Sequence, residues 1–258
     1  MPSAVSGETA LSSTGRQASR RQQTQVRTPG AYPEATGPGD LDNAPATRHG
    51  EGMVDTLLRG HAAFRSDYVP RQRSFLHQLA SEHQSPGALY IGCSDSRVIP
   101  ELLTSSHPGE LFVLRNVANI VPPLSHADSS VGAAIEYAVG ALHVQHIIVC
   151  GHTGCGGIHA LLEGRDLAAM PSVREWLEVA RPALATINTT APDRGWDEAV
   201  CHSALLQLDH LLTYPCVAEA VAADRVDLHA WVYDMHAMRL LVYDPEVREF
   251  LPPNASSP

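Results

Sequence analysis

The chain has 258 residues, which is enough for one sizeable domain with a hydrophobic core. Its 18 basic and 28 acidic residues give a formal net charge of -10, which argues against nucleic acid and anionic membranes as partners. Five cysteines do not make the disulfide framework of a small secreted domain, and no apolar run approaches the roughly 20 residues of a membrane-spanning helix. With no apolar core of a secretory signal near Met1, these features predict a cytoplasmic protein.

The composition divides the chain into three parts. Residues 1–52 are rich in Ser, Thr, Gln, Pro, Gly and Arg and are predicted to be a disordered extension, because they offer few apolar side chains to bury. An organellar transit peptide is an alternative, which the acidic, Pro and Gly residues disfavour; an artefact of the chosen start codon is another. Residues 53–252 form the predicted domain, and residues 253–258 a flexible tail.

The domain opens with two predicted arm helices. Apolar side chains recur at three- and four-residue spacing from Met53, which is typical of an amphipathic helix that packs on a neighbour. A second, shorter helix follows Pro70 and is ended by Pro86-Gly87.

Short apolar runs then predict a buried parallel sheet. Runs at 88–92, 111–114 and 147–150 suit strands that are buried on both faces. Between the last two runs, Ser130 is predicted to cap a helix with an apolar stripe, which gives a βαβ unit. Further helices are expected at 172–187, at 197–212 and after Pro215, followed by two strands at 228–233 and 240–243.

These elements together predict the fold class. It is an α/β fold with a central, mostly parallel β-sheet flanked by helices, with N-terminal arm helices and a C-terminal antiparallel strand pair. Trp176 and Trp196 are interpreted as packing residues rather than parts of a binding site.

Two motifs carry candidate metal ligands, and each follows a predicted strand. The first is Cys93-Ser94-Asp95-Ser96-Arg97, and the second is His152-Thr153-Gly154-Cys155. Functional groups gather beyond the carboxyl ends of parallel strands, so we expect these side chains to meet. Two thiolates, an imidazole and a carboxylate are ligands of a tetrahedral zinc shell. The sequence therefore predicts a zinc site of Cys93, Asp95, His152 and Cys155, in which the helix after Cys155 helps to keep that residue a thiolate.

Asp95 and Arg97 favour a catalytic site over a structural one. A guanidinium two residues away can form a bidentate pair with the carboxylate and keep it ionised. With Asp95 held by Arg97, zinc has a fourth position for water, whose pKa falls to about 7 from 15.7 in bulk water. Whether the resting zinc carries Asp95 or water stays open at this point.

With these motifs in place, the chain resembles the β-class carbonic anhydrases, and in particular their plant-type branch. The resemblance covers about residues 53–252. It rests on Gly92 to Val98, Arg115-Asn116-Val117-Ala118-Asn119, Glu136 to Val139, and Gly151 to Gly157, with Gln84-Ser85-Pro86 typical of the plant-type branch.

The resemblance implies reversible hydration of carbon dioxide to bicarbonate and a proton, with one Zn2+ per subunit. Zinc-bound hydroxide would attack carbon dioxide in a narrow apolar pocket. Cys93, His152 and Cys155 would be permanent ligands, and Asp95 would be a switchable fourth ligand that otherwise orients the hydroxide while paired with Arg97.

The resemblance also implies a substrate pocket and an oligomer. Phe112, Val117 and Tyr137 would line the pocket, with Gly156 next to the zinc. Gln84 would reach into the pocket of the partner subunit and hydrogen-bond bicarbonate. The expected assembly is a homodimer or a higher even homo-oligomer.

Two other functions remain open on the residues alone. Relatives with the same ligand set hydrolyse carbon disulfide or carbonyl sulfide, which gas-specific assays would distinguish. A non-catalytic protein with a structural zinc, or a thiol redox sensor that uses Cys93 and Cys155, is disfavoured because a closed site needs no pair such as Asp95 and Arg97.

Overall fold

The structure is a computed structural model that describes residues 52–126, 128–185 and 192–253, with the side chains of 192–196 left out. The predicted disordered extension and most of the predicted tail lie outside these residues. By its contacts, the chain divides into two units, with the boundary between Pro70 and Arg71. None of the helices within the described ranges combines the length and the apolar character that crossing a bilayer requires.

The described part of the first unit is helical. Helix α1 (Met53–Ala63) begins after Gly52 and continues into a π-helical turn (Phe64–Tyr68). The apolar side chains of Val54, Leu57 and Leu58 are 68%, 65% and 62% exposed, and α1 contains no buried residue. The predicted packing of this helix on a neighbour stays a prediction.

The second unit is built on a six-stranded sheet in the order β2-β1-β3-β4-β5-β6. The first four strands in this order are parallel, and the last two are antiparallel additions. This confirms the predicted fold class, and β6 is a strand that the sequence analysis did not predict. The strands are β1 (Ala88–Cys93), β2 (Leu111–Asn116), β3 (His146–His152), β4 (Asp227–Asp234), β5 (Arg239–Asp244) and β6 (Glu249–Leu251).

Helices cover one face of this sheet. Two core clusters on that face join apolar side chains of β1, β3 and β4 to those of the helices, and a smaller cluster around Tyr90 and Cys150 occupies the other face. The short helix α2 (Val69–Arg71) spans the boundary between the two units. The other helices are α3 (Arg73–Ser81), α4 (Pro100–Thr104), α5 (Ser129–Glu136), α6 (Gly156–Leu162), α7 (Pro171–Glu178), α8 (Pro192–Leu211) and α9 (Pro215–Ala222).

Helix α5 confirms the predicted apolar stripe but not its predicted cap. Val131 and Ile135 are buried as expected. The N-cap is Asp128 rather than Ser130: one carboxylate oxygen of Asp128 accepts from the backbone N–H groups of Ser130 and Val131. An ionised carboxylate also interacts favourably with the positive end of the helix, which explains why it takes the capping position.

Candidate metal centre

Three of the predicted ligands lie at the ends of two neighbouring strands. Cys93 is the last residue of β1, His152 is the last residue of β3, and Cys155 is the N-cap of α6. Because β1 and β3 are adjacent and parallel, their carboxyl ends meet at one edge of the sheet. The fold therefore assembles residues that lie 62 positions apart in the sequence.

The three side chains form a tight, buried cluster. Their ligand atoms all lie within 4.8 Å of one another. The residues are 6%, 0% and 1% exposed, in the order Cys93, His152, Cys155. Among the residues that the structure describes, this is the one cluster of three or more such groups with metal-binding geometry.

The imidazole of His152 presents a free lone pair to the two sulfurs. Its Nδ1 lies 3.0 Å from the carbonyl oxygen of Thr153, which can only accept, so Nδ1 carries the proton and donates it. Nε2 is buried and has no hydrogen-bond partner among the described residues. A neutral imidazole fixed by its second nitrogen in this way is typical of a metal ligand.

The two neighbouring thiols shift each other's pKa in opposite directions. Contact with Cys155 lowers the pKa of Cys93 to about 4, and His152 acts in the same direction. Contact with Cys93, together with burial, raises the pKa of Cys155 far above its ordinary value. The backbone N–H groups of Gly157 and Ile158, in the first turn of α6, act in the opposite direction and lower the pKa of Cys155, so the predicted help from this helix stays a prediction.

The donor set fits Zn2+. A divalent cation would occupy the lone pair of His152, displace the thiol protons and neutralise two buried sulfur charges at once. Sulfur and imidazole nitrogen are the ligands that zinc takes in proteins.

Asp95 lies beside the cluster and is held by Arg97. The Nε and Nη2 atoms of Arg97 donate to the two carboxylate oxygens at 2.9 and 2.7 Å, and the Arg97 backbone N–H donates at 3.0 Å. These bonds hold the pKa of Asp95 well below its usual range. One oxygen of Asp95 lies 3.9 Å from Nε2 of His152, so the carboxylate reaches the edge of the cluster while it is paired with Arg97.

Arg115 is a supporting residue to which the sequence analysis assigned no role. Its Nε donates to the carbonyl oxygen of Cys93 at 3.0 Å, and its Nη2 donates to that of Asp95 at 2.7 Å. Arg115 therefore ties down the segment that carries Cys93 and Asp95. In the sequence, Arg115 was noted only as part of the 115–119 motif. Its hydrogen-bond partners are backbone carbonyl oxygens, which every residue type has, so they could not be predicted from residue identities.

The predicted pocket residues do not gather around one cluster. The rings of Phe112 and Tyr137 are in contact, with centroids 5.9 Å apart. In the strand register, however, Phe112 lies opposite Leu89, and Cys93 lies opposite Asn116, four residues further along β2. At about 3.3 Å per residue, this separates Phe112 from the metal-ligand end of the sheet by about 13 Å.

Val117, Gly156 and Gln84 complete the predicted site. Val117 follows β2 and is 42% exposed. A Cβ atom built on Gly156 would meet no heavy atom within 4 Å, so the space beside Cys155 is open there. Gln84 is exposed on the segment between α3 and β1.

Comparison with known proteins points to one family. The family model described as "Carbonic anhydrase" matches residues 88–240. A carbonic anhydrase of Pseudomonas aeruginosa is 41% identical over 198 residues, which is 76% of this chain and 90% of that protein.

Solved structures give the same answer. The β-carbonic anhydrase CcaA superposes with a TM-score of 0.72 at 36% identity, over 78% of this chain and all of that one (100%). One of two tetrameric β-carbonic anhydrases from Sordaria macrospora superposes with a TM-score of 0.64 at 29% identity, over 74% of this chain and 97% of that one.

Proposed function

Because the chain belongs to the β-class of the carbonic anhydrase family, and is thus a zinc enzyme that reversibly hydrates carbon dioxide to bicarbonate and a proton, we propose that the cluster of Cys93, His152 and Cys155 is its active site. One observation carries this proposal: the buried Nε2 of His152 has no partner among the described residues and faces two thiols. A lone pair left without a donor in a protein interior is costly unless a ligand occupies it.

The three ligands would hold the metal, and the other residues would act on the water and the substrate. When bound, zinc supplies Lewis-acid chemistry that brings the pKa of a coordinated water to about 7, so that hydroxide is available near neutral pH. Nδ1 of His152 donates to the carbonyl oxygen of Thr153, which orients the ring and leaves Nε2 as the nitrogen that would bind the metal.

Asp95 would orient the attacking oxygen. An ionised carboxylate accepts hydrogen bonds and cannot donate them, and the pair with Arg97 keeps Asp95 ionised. Asp95 would therefore accept the O–H of the nucleophile and turn a lone pair toward carbon dioxide. The observed pairing with Arg97 supports an arrangement in which Asp95 is not the fourth ligand.

The substrate pocket would be completed by a second copy of the chain. Val117 and the open space at Gly156 lie near the cluster, and both suit a small apolar substrate. Phe112 is separated from the cluster of its own chain along β2, Tyr137 contacts Phe112, and Gln84 is exposed. We infer that these three residues act in the site of the partner subunit in a dimer or higher even oligomer, which the tetrameric relatives from Sordaria macrospora support.

We also infer a reducing compartment, the cytoplasm, as the place of action. All five cysteines are free thiols in the structure. Two of them belong to the proposed metal site, which oxidation to a disulfide would abolish.

The test is stopped-flow hydration of carbon dioxide with the zinc-loaded protein, the chelator-treated protein and Asp95→Asn. We expect stoichiometric zinc, activity that is lost with the metal and regained on its return, and a loss of roughly 10–100-fold in kcat/KM for Asp95→Asn. Asp166→Asn, at an exposed turn, is the matched control and keeps full activity. Purified protein without zinc, or equal rates for Asp95→Asn and the wild type, would refute the proposal.

A further inference from the structure

Ala118 lies in the buried cluster that contains Cys93 and Cys155, and the backbone N–H groups of Asp95 and Ala118 lower the pKa of Cys93. The N–H of Asp95 belongs to the segment that carries Cys93 itself. Ala118 comes from a separate segment that follows β2. The position of its N–H relative to the sulfur therefore depends on what holds that segment.

The backbone around Ala118 is one that needs outside support. Ala118 and Asn119 have φ values of 62° and 47°, in the left-handed region that residues with a Cβ atom avoid. The side chain of Asn116 secures the ends of this turn, because its amide group exchanges two 2.8 Å hydrogen bonds with the backbone of Ile120. The Val117–Ala118 peptide group lies between these two anchors.

Trp176 holds that peptide group from outside the turn. Its indole Nε1 donates to the carbonyl oxygen of Val117 at 2.8 Å, across 59 residues of sequence. In a planar trans peptide, the carbonyl of one residue and the N–H of the next point in opposite directions. A bond that fixes the carbonyl of Val117 therefore also fixes the direction of the Ala118 N–H.

The turn at Ala118 also packs against the start of α6, the helix that Cys155 caps. A Cβ atom added at Gly157, in the first turn of α6, would lie 3.0 Å from Leu177 and 3.1 Å from Ala118. Leu177 is fully buried and directly follows Trp176 on α7. The turn at Ala118 is thus packed between α7 and the start of the helix that Cys155 caps.

We propose that Trp176 is a positioning residue for the zinc ligand Cys93, because it holds the Val117–Ala118 peptide group and so directs the Ala118 N–H to the sulfur. This inference rests on the proposed function. A hydrogen bond to a ligating thiolate fixes its orientation and withdraws charge from it, and loss of such an outer partner costs 10–100-fold in metal affinity or activity. Val117 is 42% exposed, so water can replace the indole as a donor but cannot fix the peptide plane.

The experiment compares Trp176→Phe with the wild-type holoprotein. Phenylalanine keeps an aromatic ring on α7 and removes the N–H donor. We expect zinc transfer to a chromophoric chelator to become roughly tenfold faster. In the cobalt-substituted protein, we expect the sulfur-to-metal charge-transfer band to move to longer wavelength, because a thiolate with a weaker hydrogen bond gives up its electrons more easily.

Trp231→Phe is the matched control. The indole Nε1 of Trp231 is buried without a hydrogen-bond partner among the described residues, so its removal breaks no such bond. We expect this variant to keep the wild-type chelator rate and cobalt spectrum. If Trp176→Phe does not fold, benzothienylalanine at position 176 replaces the N–H with sulfur at nearly unchanged shape, and the same two readouts apply.

Wild-type chelator rates and an unshifted cobalt band in the position-176 variants would overturn the inference and leave Trp176 as a packing residue. That outcome differs from failure of the proposed function, in which the wild-type protein itself would lack zinc or activity. Equal shifts in Trp176→Phe and Trp231→Phe would also overturn it, since they would reflect general loosening of the core.

Discussion

At the scale of single residues, the proposed chemistry depends on the ion pair of Asp95 and Arg97, which lies at the edge of the candidate metal site. The side chain of Asp95 is 17% exposed, whereas that of Arg97 is 61% exposed. An exposed ion pair contributes little to the free energy of unfolding. The bond from Arg97 therefore acts mainly on the direction and ionisation of Asp95 and only slightly on stability.

We therefore predict that Arg97→Lys lowers the activity and leaves the stability nearly unchanged. Lysine keeps the charge but lacks the planar fork that binds both carboxylate oxygens. We expect kcat/KM for carbon dioxide to fall roughly 10–100-fold while the melting temperature stays near that of the wild type.

Arg165→Lys is the control, because Arg165 makes an exposed pair with Glu163 away from the metal site. It should leave both quantities unchanged. A fully active Arg97→Lys would mean that Asp95 needs a positive charge nearby but no defined orientation.

At the scale of elements, β3 and β4 place two imidazoles against each other near their amino ends. Nε2 of His229 lies 3.2 Å from Nδ1 of His146, which is also 3.7 Å from a carboxylate oxygen of Asp227. Burial, and then the neighbouring His146, lower the pKa of His229, while Asp227 opposes them. Protonation of both imidazoles would set two positive charges in contact within the sheet.

This pair predicts a loss of stability in mild acid. Because the folded state lowers the pKa of His229, the unfolded chain takes up the proton first, near pH 6.5. The stabilising contribution is complete above about pH 6.5 and is lost as the pH falls from there through the folded-state pKa. In His229→Gln, we expect the free energy of unfolding to fall less steeply as the pH drops below about 6.5. The difference in slope from the wild type corresponds to the uptake of at most one proton per molecule on unfolding.

Urea unfolding of the zinc-loaded proteins at several pH values between 5 and 8 measures this slope. The comparison with the wild type matters because metal ligands also take up protons in acid. His77→Gln, at an exposed position on α3, should follow the wild-type curve. Parallel curves for wild type and His229→Gln would exclude His229 as a source of the acid sensitivity.

At the scale of the whole molecule, the proposed site needs two copies of the chain. The metal ligands belong to one subunit, and Phe112, Tyr137 and Gln84 are proposed to serve the other. Such sharing predicts that two inactive variants can repair each other in a mixed dimer.

We expect Cys93→Ala and Tyr137→Ala to be strongly impaired alone, the first through loss of the metal and the second through loss of the pocket. In a dimer with one subunit of each kind, the intact metal cluster of the Tyr137→Ala subunit meets the intact Tyr137 of the other. Random mixing of equal amounts should restore about a quarter of wild-type activity per site.

Co-refolding the two variants and assaying carbon dioxide hydration tests this. Mixing of Cys93→Ala with His152→Ala is the control, since both changes damage the same metal cluster and no repaired site can form. A mixture of Cys93→Ala and Tyr137→Ala that stays inactive would place Tyr137 in the site of its own chain.

The sequence by itself predicted the candidate metal ligands and determined the class of fold. Cys93 and His152 follow apolar runs whose length and composition are those of buried parallel strands, and the ends of such strands meet wherever the strands are neighbours. The apolar stripe of α5 was equally readable, since periodic burial is a property of the local pattern. These features depend on which residues are apolar, and the pattern of apolar residues can be read directly from the sequence.

Only the tertiary structure decided what holds these ligands in place. The bonds from Arg115 and Trp176 go to backbone carbonyls, and any residue type offers the same carbonyl. The cap of α5 by Asp128, the strand β6 and the proximity of the Cys93 and Cys155 sulfurs likewise depend on distances between atoms. The separation of Phe112 from the metal-ligand end of the sheet follows from the register of β1 and β2. This register is fixed by packing between the two segments, so it cannot be predicted from the sequence of either strand alone.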